Sequence, residues 1–136
     1  MDIRAAVLED IKILCRYDKH ICREELLNLI TLGRVYIAEE SGKFIGWMRY
    51  NLFWDDTPFM NMLYLLESSR GKGFGRELVN YWEKQMKLLG YNAVMTSTQQ
   101  EEDSQHFYNK LGYKTVGGFM PYGEAYELIL LKDIGA

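Results

Sequence analysis

The 136-residue sequence predicts one α+β domain, a mixed α/β fold with the element order βααβββαβαββ. Three observations predict it. Short β-type segments give way repeatedly to segments whose apolar residues recur at helical spacing. Glycines stand where those helices should stop, at Gly33, Gly90 and Gly112. The length suits one compact domain of about 100–150 residues, and neither repeat nor linker interrupts it.

Residues 2–6 read as a first strand. Over 7–17, Leu8, Ile11 and Leu14 recur at helical spacing, and Glu9 and Asp10 suit the positive end of a helix dipole. A second helix over 22–32 places Leu26, Leu29 and Ile30 on one face. Two strands follow, 34–40 and 43–54, joined by Ser41 and Gly42 as a tight turn. Residues 55–58 break the run, and 59–66 reads as the third strand of this meander. A helix to about Leu89 then carries Leu78, Val79, Trp82, Met86 and Leu89 on one side. Residues 93–98 form a strand and 104–111 a short helix. Strands 113–119 and 124–131 close the chain, with Pro121 and Gly123 between them.

Hydrophobic residues make up 48% and charged residues 26% of the chain, the mix of a globular domain that buries its own core. A net charge of −3 argues against a general nucleic-acid binder. Cys15 and Cys22 form no CxxC pair, so we expect free thiols in a reducing compartment. The start MDIRAAVLEDIK has no signal-peptide pattern, and no apolar run approaches the ~20 residues that cross a bilayer. The expectation is a soluble, cytoplasmic protein with no membrane and no metal. A homodimer is compatible with the sequence.

The segment Arg70-Gly71-Lys72-Gly73-Phe74-Gly75 lies between a strand and an amphipathic helix. Glycines there let backbone approach a ligand closely, and the unpaired amides of a first helical turn favour an anion. Arg70, Lys72 and Arg76 add positive charge, so a pyrophosphate suits the turn. A Walker A loop fails, because Phe74 and Arg76 follow the glycines where Lys-Ser or Lys-Thr is needed. A GxGxxG starting at Gly71 fails at Arg76. A basic strand-to-helix turn without a ligand stays open as the other reading.

R-G-K-G-F-G after a hydrophobic strand resembles the R/Q-x-x-G-x-G/A signature of the GNAT superfamily of N-acetyltransferases. Ile3-Arg4-Ala5-Ala6 with Asp10 is similar to the family's opening, and Ser104-Gln105-His106-Phe107-Tyr108-Asn109-Lys110-Leu111-Gly112-Tyr113 resembles its A-x-x-F-Y-x-K-x-G-F block. The element order agrees along the whole chain. The resemblance implies a central mixed, mostly antiparallel sheet flanked by helices, with acetyl-CoA as cosubstrate where strands 59–66 and 93–98 splay apart. It implies that Leu63, Tyr64 and Leu65 pair with the pantetheine arm. The pyrophosphate would lie on Arg70, Gly71, Lys72, Gly73, Phe74 and Gly75. The Leu65 amide would stabilise the oxyanion, and Tyr108 would protonate the leaving thiolate, a gain of about 10²-fold.

An alkylamine of pKa near 10.4 is almost wholly protonated at pH 7, a cost of roughly 4–5 kcal/mol that a base or water chain should relieve. Some family members use a glutamate in the strand matching 93–98, where this chain has Thr96 and Thr98. Glu67 and Glu101 are the carboxylate candidates. Glu101 lies seven residues before Tyr108, two helical turns if the helix starts that early, and stands where the family often has asparagine. His106 should point away from Tyr108, and His20 has no motif behind it.

In strand 43–54, Trp47, Arg49 and Phe53 share one face and Met48, Tyr50 and Trp54 the other. One set should face the core and the other line an acceptor site or dimer surface. Asp55 and Asp56, and the segment 117–123 with Phe119 and Tyr122, are further acceptor candidates. The expected activity is acetyl transfer to a primary amine of a small metabolite, amino acid or peptide, by direct attack in a ternary complex. The alternative is a non-catalytic acyl-CoA-binding or interaction module, since the strand carboxylate is missing.

Overall fold

The computed structural model describes residues 1–100 and 103–135. Its elements are β1 (Asp2–Ala5), α1 (Ile11–Tyr17), α2 (Arg23–Thr31), β2 (Val35–Glu40), β3 (Lys43–Phe53), β4 (Thr57–Leu65), α3 (Phe74–Leu88), β5 (Ala93–Gln99), α4 (Ser104–Lys110), β6 (Lys114–Phe119) and β7 (Glu127–Asp133). That is the predicted order. The strands form a seven-stranded sheet in the order β1-β2-β3-β4-β5-β7-β6. By contacts the chain divides into two compact units, Met1–Asn51 with Met62–Leu78 and Leu52–Asn61 with Val79–Ala136.

In the first unit, β1 and β2 pair antiparallel with Ile3 opposite Ala38, and β2 pairs antiparallel with β3, Ile37 opposite Trp47. Leu14 of α1 and Leu26, Leu29 and Ile30 of α2 bury themselves with Ala6, Val35, Ile37 and Trp47. Each such aliphatic side chain contributes roughly 1.5–3 kcal/mol. The helix predicted over 7–17 opens instead with a 3-10 turn, Leu8–Asp10. The Asp10 carboxylate accepts the Val7 N–H at 2.8 Å and is gripped by Arg4 at 2.7 and 2.9 Å, which ties this tight turn to β1.

Gly46 on β3 has a separate purpose. A Cβ there would overlap the Tyr64 carbonyl oxygen and the Leu65 side chain. The glycine lets β3 lie close to the end of β4, where Leu66 N–H donates to Ile45 C=O at 2.8 Å.

In the second unit, β5 pairs antiparallel with β7 and β7 with β6, whereas β4 runs parallel to β5 at Phe59–Met95 and Met60–Thr96. Val79, Trp82 and Met86 of α3 are buried as the helical spacing predicts, but Leu89 lies past the helix end and is exposed. Glu83 of α3 accepts from the Tyr113 hydroxyl at 2.8 Å and from Lys132 at 2.7 Å.

The boundaries of two turns differ from expectation. Trp54 and Asp55 both take left-handed φ, 57° and 67°, so β3 stops at Phe53 and the reversal is complete by Asp56. β4 therefore starts at Thr57 and includes Pro58, near a strand start where proline is tolerated. At the other end, Glu124 N–H donates to Pro121 C=O at 3.1 Å and Gly123 has φ 72°. That closed turn delays β7 from the predicted 124 to Glu127. Among the described residues, no helix is long and apolar enough to cross a membrane.

Candidate active site

The first unit holds the end of β4 and the glycine-rich turn after it. Successive peptide groups of a strand point to opposite sides. Because Leu66 N–H faces β3, the N–H and C=O of Leu65 are turned away from it. The Leu65 carbonyl accepts from Arg70 Nε at 2.9 Å, and the Arg70 guanidinium lies 5.0 Å from the Tyr64 ring centroid. Arg70 thus braces the last residues of β4, while its own amide donates to Glu67 C=O at 3.2 Å.

Beyond Arg70 the chain opens. Gly71 and Gly73 adopt φ of 76° and 83°, a region that side chains disfavour, and a Cβ at either would meet nothing within 4 Å. Their requirement is conformational, and the space above them is free for a ligand. The first intrahelical bond shown for α3 runs from Glu77 N–H to Gly73 C=O. The amides of Phe74, Gly75 and Arg76 therefore have no acceptor within the helix. Exposed Lys72 and Arg76 surround them, with Lys72 Nζ 6.0 Å from the Phe74 ring. This combination suits two linked phosphates. Glu67 is exposed on a 3-10 turn.

The same unit contains a feature that sequence spacing does not reveal. Asp18 caps the end of α1 and is almost wholly buried. Its carboxylate accepts from Arg49 Nε at 2.7 Å, Arg49 Nη2 at 3.3 Å, Trp47 Nε1 at 3.0 Å and His20 N–H at 3.2 Å. Burial pushes this carboxyl up, but Arg49, the His20 amide and Trp47 together outweigh it and hold it below the usual range. Trp47, Met48, Arg49 and Tyr50 are all buried, so the expectation that one face of this strand stays open is corrected. Trp54 is 85% exposed, on the turn rather than in the strand.

Above this network lies a cavity of about 140 Å³ lined by Tyr17, His20, Trp47, Met62 and Tyr64. Tyr17 stacks on Phe44 at 5.3 Å between centroids, and Trp47 lies 5.0 Å from Tyr64. The distant pairing of Asp18 with β3 is what brings His20 to this wall. A local signal existed in Asp18 two residues before His20, but nothing along the chain points from it to Arg49.

The second unit holds Tyr108, on α4 and only 6% exposed. Burial pushes its phenol up to about 12, with a hydrogen bond to Thr96 acting in the opposite direction. Thr96 Oγ1 donates to Met60 C=O at 3.0 Å, and the Tyr108 ring meets Tyr113 edge-on at 5.4 Å. The Thr98 hydroxyl is buried without a hydrogen-bond partner. His106 is exposed, as its position on the helix predicts. Glu101 lies outside the described residues. Gly118 is fixed by packing, since a Cβ there would overlap the Tyr126 ring and hydroxyl.

A sequence model of the acetyltransferase (GNAT) family matches residues 5–113. The D-amino-acid N-acetyltransferase HPA3 of Saccharomyces cerevisiae is 32% identical over 89 residues, 61% of this chain and 55% of the yeast protein. The chain thus matches little more than half the length of that relative. Among solved structures, the PaiA N-acetyltransferase of Thermoplasma acidophilum, in complex with coenzyme A, is similar with a TM-score of 0.80 at 20% identity, covering 97% of this chain and 98% of that one. The ribosomal-protein-S18-alanine N-acetyltransferase of Escherichia coli gives 0.83 at 11% identity, covering 99% and 94%. At these identities the structures speak for the fold.

Proposed function

The chain belongs to the acetyltransferase (GNAT) family, and from that premise we propose that it moves an acetyl group from acetyl-CoA to a primary amine of a small metabolite, amino acid or peptide. The observation that carries this is the turn after β4. Two left-handed glycines lead into a helix whose first amides lack internal acceptors, beside Arg70, Lys72 and Arg76. The turn 70–75 takes the pyrophosphate, and the backbone of Leu63, Tyr64 and Leu65 takes the pantetheine arm.

The amine nitrogen attacks the thioester carbonyl in a ternary complex. The Leu65 N–H, turned away from β3, stabilises the oxyanion as it forms. The C–S bond then breaks, coenzyme A leaves as thiolate, and the new amide nitrogen loses its proton to a base or water chain. A thiol of pKa ~8.5 and a phenol near 12 are mismatched by roughly 5 kcal/mol for full proton transfer. Tyr108 therefore donates a hydrogen bond to the departing sulfur and keeps its proton, and solvent completes the thiol. We place the protein in the cytoplasm, where the free thiols Cys15 and Cys22 remain reduced.

The yeast relative's name makes D-amino acids natural members of a first acceptor panel. Isothermal titration with acetyl-CoA, followed by thiol release with amines and amino acids of both hands, tests the proposal. Absence of acetyl-CoA binding refutes it. Binding without turnover for any amine favours instead the acyl-CoA-binding module, to which the lack of a β5 carboxylate lends support.

A further inference from the structure

Resting on the acetyltransferase reading, we propose that the cavity lined by Tyr17, His20, Trp47, Met62 and Tyr64 is the acceptor-specificity pocket. It selects primary amines that carry one uncharged aryl or branched-alkyl group. The position comes first. Tyr64 directly precedes Leu65, whose amide is turned away from β3, so the cavity adjoins the backbone at which the acetyl carbonyl is to be polarised.

The size then limits the occupant. A cavity of about 140 Å³ is close to the roughly 150 Å³ apolar cavity known to hold a benzene ring. One six-membered ring or a branched four-carbon chain fits, and a fused polycyclic group does not.

The lining decides the charge. The Tyr17, Trp47 and Tyr64 rings and the Met62 thioether offer apolar contact beside the His20 imidazole, with no carboxylate among the described lining residues to pair a second ammonium. The Asp18 carboxylate behind Trp47 is already saturated by Arg49, Trp47 and the His20 amide. A bare cation on the rings is disfavoured as well. Arg70 already lies 5.0 Å from the Tyr64 ring and Arg16 5.7 Å from the Tyr17 ring, so two of the three rings already face a guanidinium whose charge repels a further cation. Polyamines and diamines are therefore poor occupants.

The walls are held before any ligand arrives. Trp47 is held by its bond to Asp18 and by ring contacts with Phe44 at 6.0 Å and Tyr64 at 5.0 Å. Tyr17 rests on Phe44 at 5.3 Å. Little side-chain ordering remains to be done on binding, so the apolar contact is retained as selectivity. Tyr17 and Tyr64 are about two-fifths exposed, which leaves the cavity reachable.

The test is thiol release from acetyl-CoA by the full chain with 2-phenylethylamine, isopentylamine, ethylamine and cadaverine. We expect kcat/KM for the first two to exceed the last two on the order of 30-fold. Met62→Trp, which fills the cavity, should reduce that ratio to within a few-fold while leaving the acetyl-CoA Kd unchanged. Tyr17→Ala, which removes a wall, should reduce it too and serves if the larger side chain prevents folding. Equal or better use of ethylamine or cadaverine overturns the proposal, as does an unchanged ratio in a variant that still binds acetyl-CoA. Failure of the unaltered chain to bind acetyl-CoA refutes the acetyltransferase reading itself, and this pocket assignment with it.

Discussion

Replacing Asp18 with alanine should be among the most damaging single changes in the first unit. Asp18 and Arg49 are both buried, 3% and 6% exposed, and are joined at 2.7 Å. Removing the carboxylate leaves the guanidinium and the Trp47 indole N–H without their acceptor in a dry environment. Breaking one side of such a pair costs about 3–5 kcal/mol, a large part of the ~5–15 kcal/mol that holds a domain together. For a chain of this length the melting temperature should fall by roughly 10–20 °C.

Urea unfolding followed by circular dichroism measures the loss. Most of it comes from the abandoned cation, so adding Arg49→Met to Asp18→Ala should restore about 2 kcal/mol. Acid should act in the same direction. The folded Asp18 carboxyl sits below its usual range, so its contribution is complete above the ordinary carboxylate value near 3.9 and is lost as pH falls through the lower folded value. The difference between wild type and Asp18→Ala should therefore shrink only in strong acid. A single-variant loss under about 1 kcal/mol, or a double variant no more stable than the single, refutes the account of a buried pair.

Other expectations concern the transfer chemistry. Gly73→Val meets no crowding but forces a β-branched residue into φ 83°, so acetyl-CoA affinity by calorimetry should weaken at least ~10-fold, with Gly73→Asn milder because asparagine tolerates that region. Tyr108→Phe should lower kcat about 10-fold, and the deficit should stay constant from pH 6 to 9, because a phenol near 12 remains protonated throughout. A deficit that changes across that range would make Tyr108 a titrating acid. For the base, Glu67→Gln, Glu101→Gln and His20→Ala should be compared by kcat at saturating amine. A water chain predicts less than about threefold loss in each, and one loss near 10²-fold identifies the proton acceptor.

What the sequence made legible was local. The conformation of the turn from Arg70 to Gly75 could be read because it is set by glycine and by the start of one helix. The buried stripe of α3 could be read to Met86 because 3.6-residue periodicity reports burial directly, and it failed at Leu89 because the helix had ended. The break after β3 was legible at 55–58, but its bounds were missed because a bulky and a charged residue, Trp54 and Asp55, occupy left-handed positions where glycine or asparagine is the usual signal. β7 was placed three residues early because a turn closed by Glu124 on Pro121 leaves no mark in hydrophobic pattern.

The buried network around Asp18 was unreadable for a deeper reason. Asp18 lies 31 residues from Arg49 and 29 from Trp47, and no periodicity spans such separations. Alternation along β3 presupposes one dry face and one wet face. Here Trp47 and Arg49 lie on the face that receives Asp18 while Met48 and Tyr50 are buried on the other, so both faces carry information that the pattern assigns to one. A turn made of backbone amides is tied to one segment of chain, whereas a cavity lined by side chains drawn from α1, the α1–α2 connection, β3 and β4 can change at each position independently. The proposed donor turn and the proposed acceptor cavity thus rest on different kinds of structure, and substitutions at Met62 or Tyr17 should redirect the amine without disturbing the turn at Gly73.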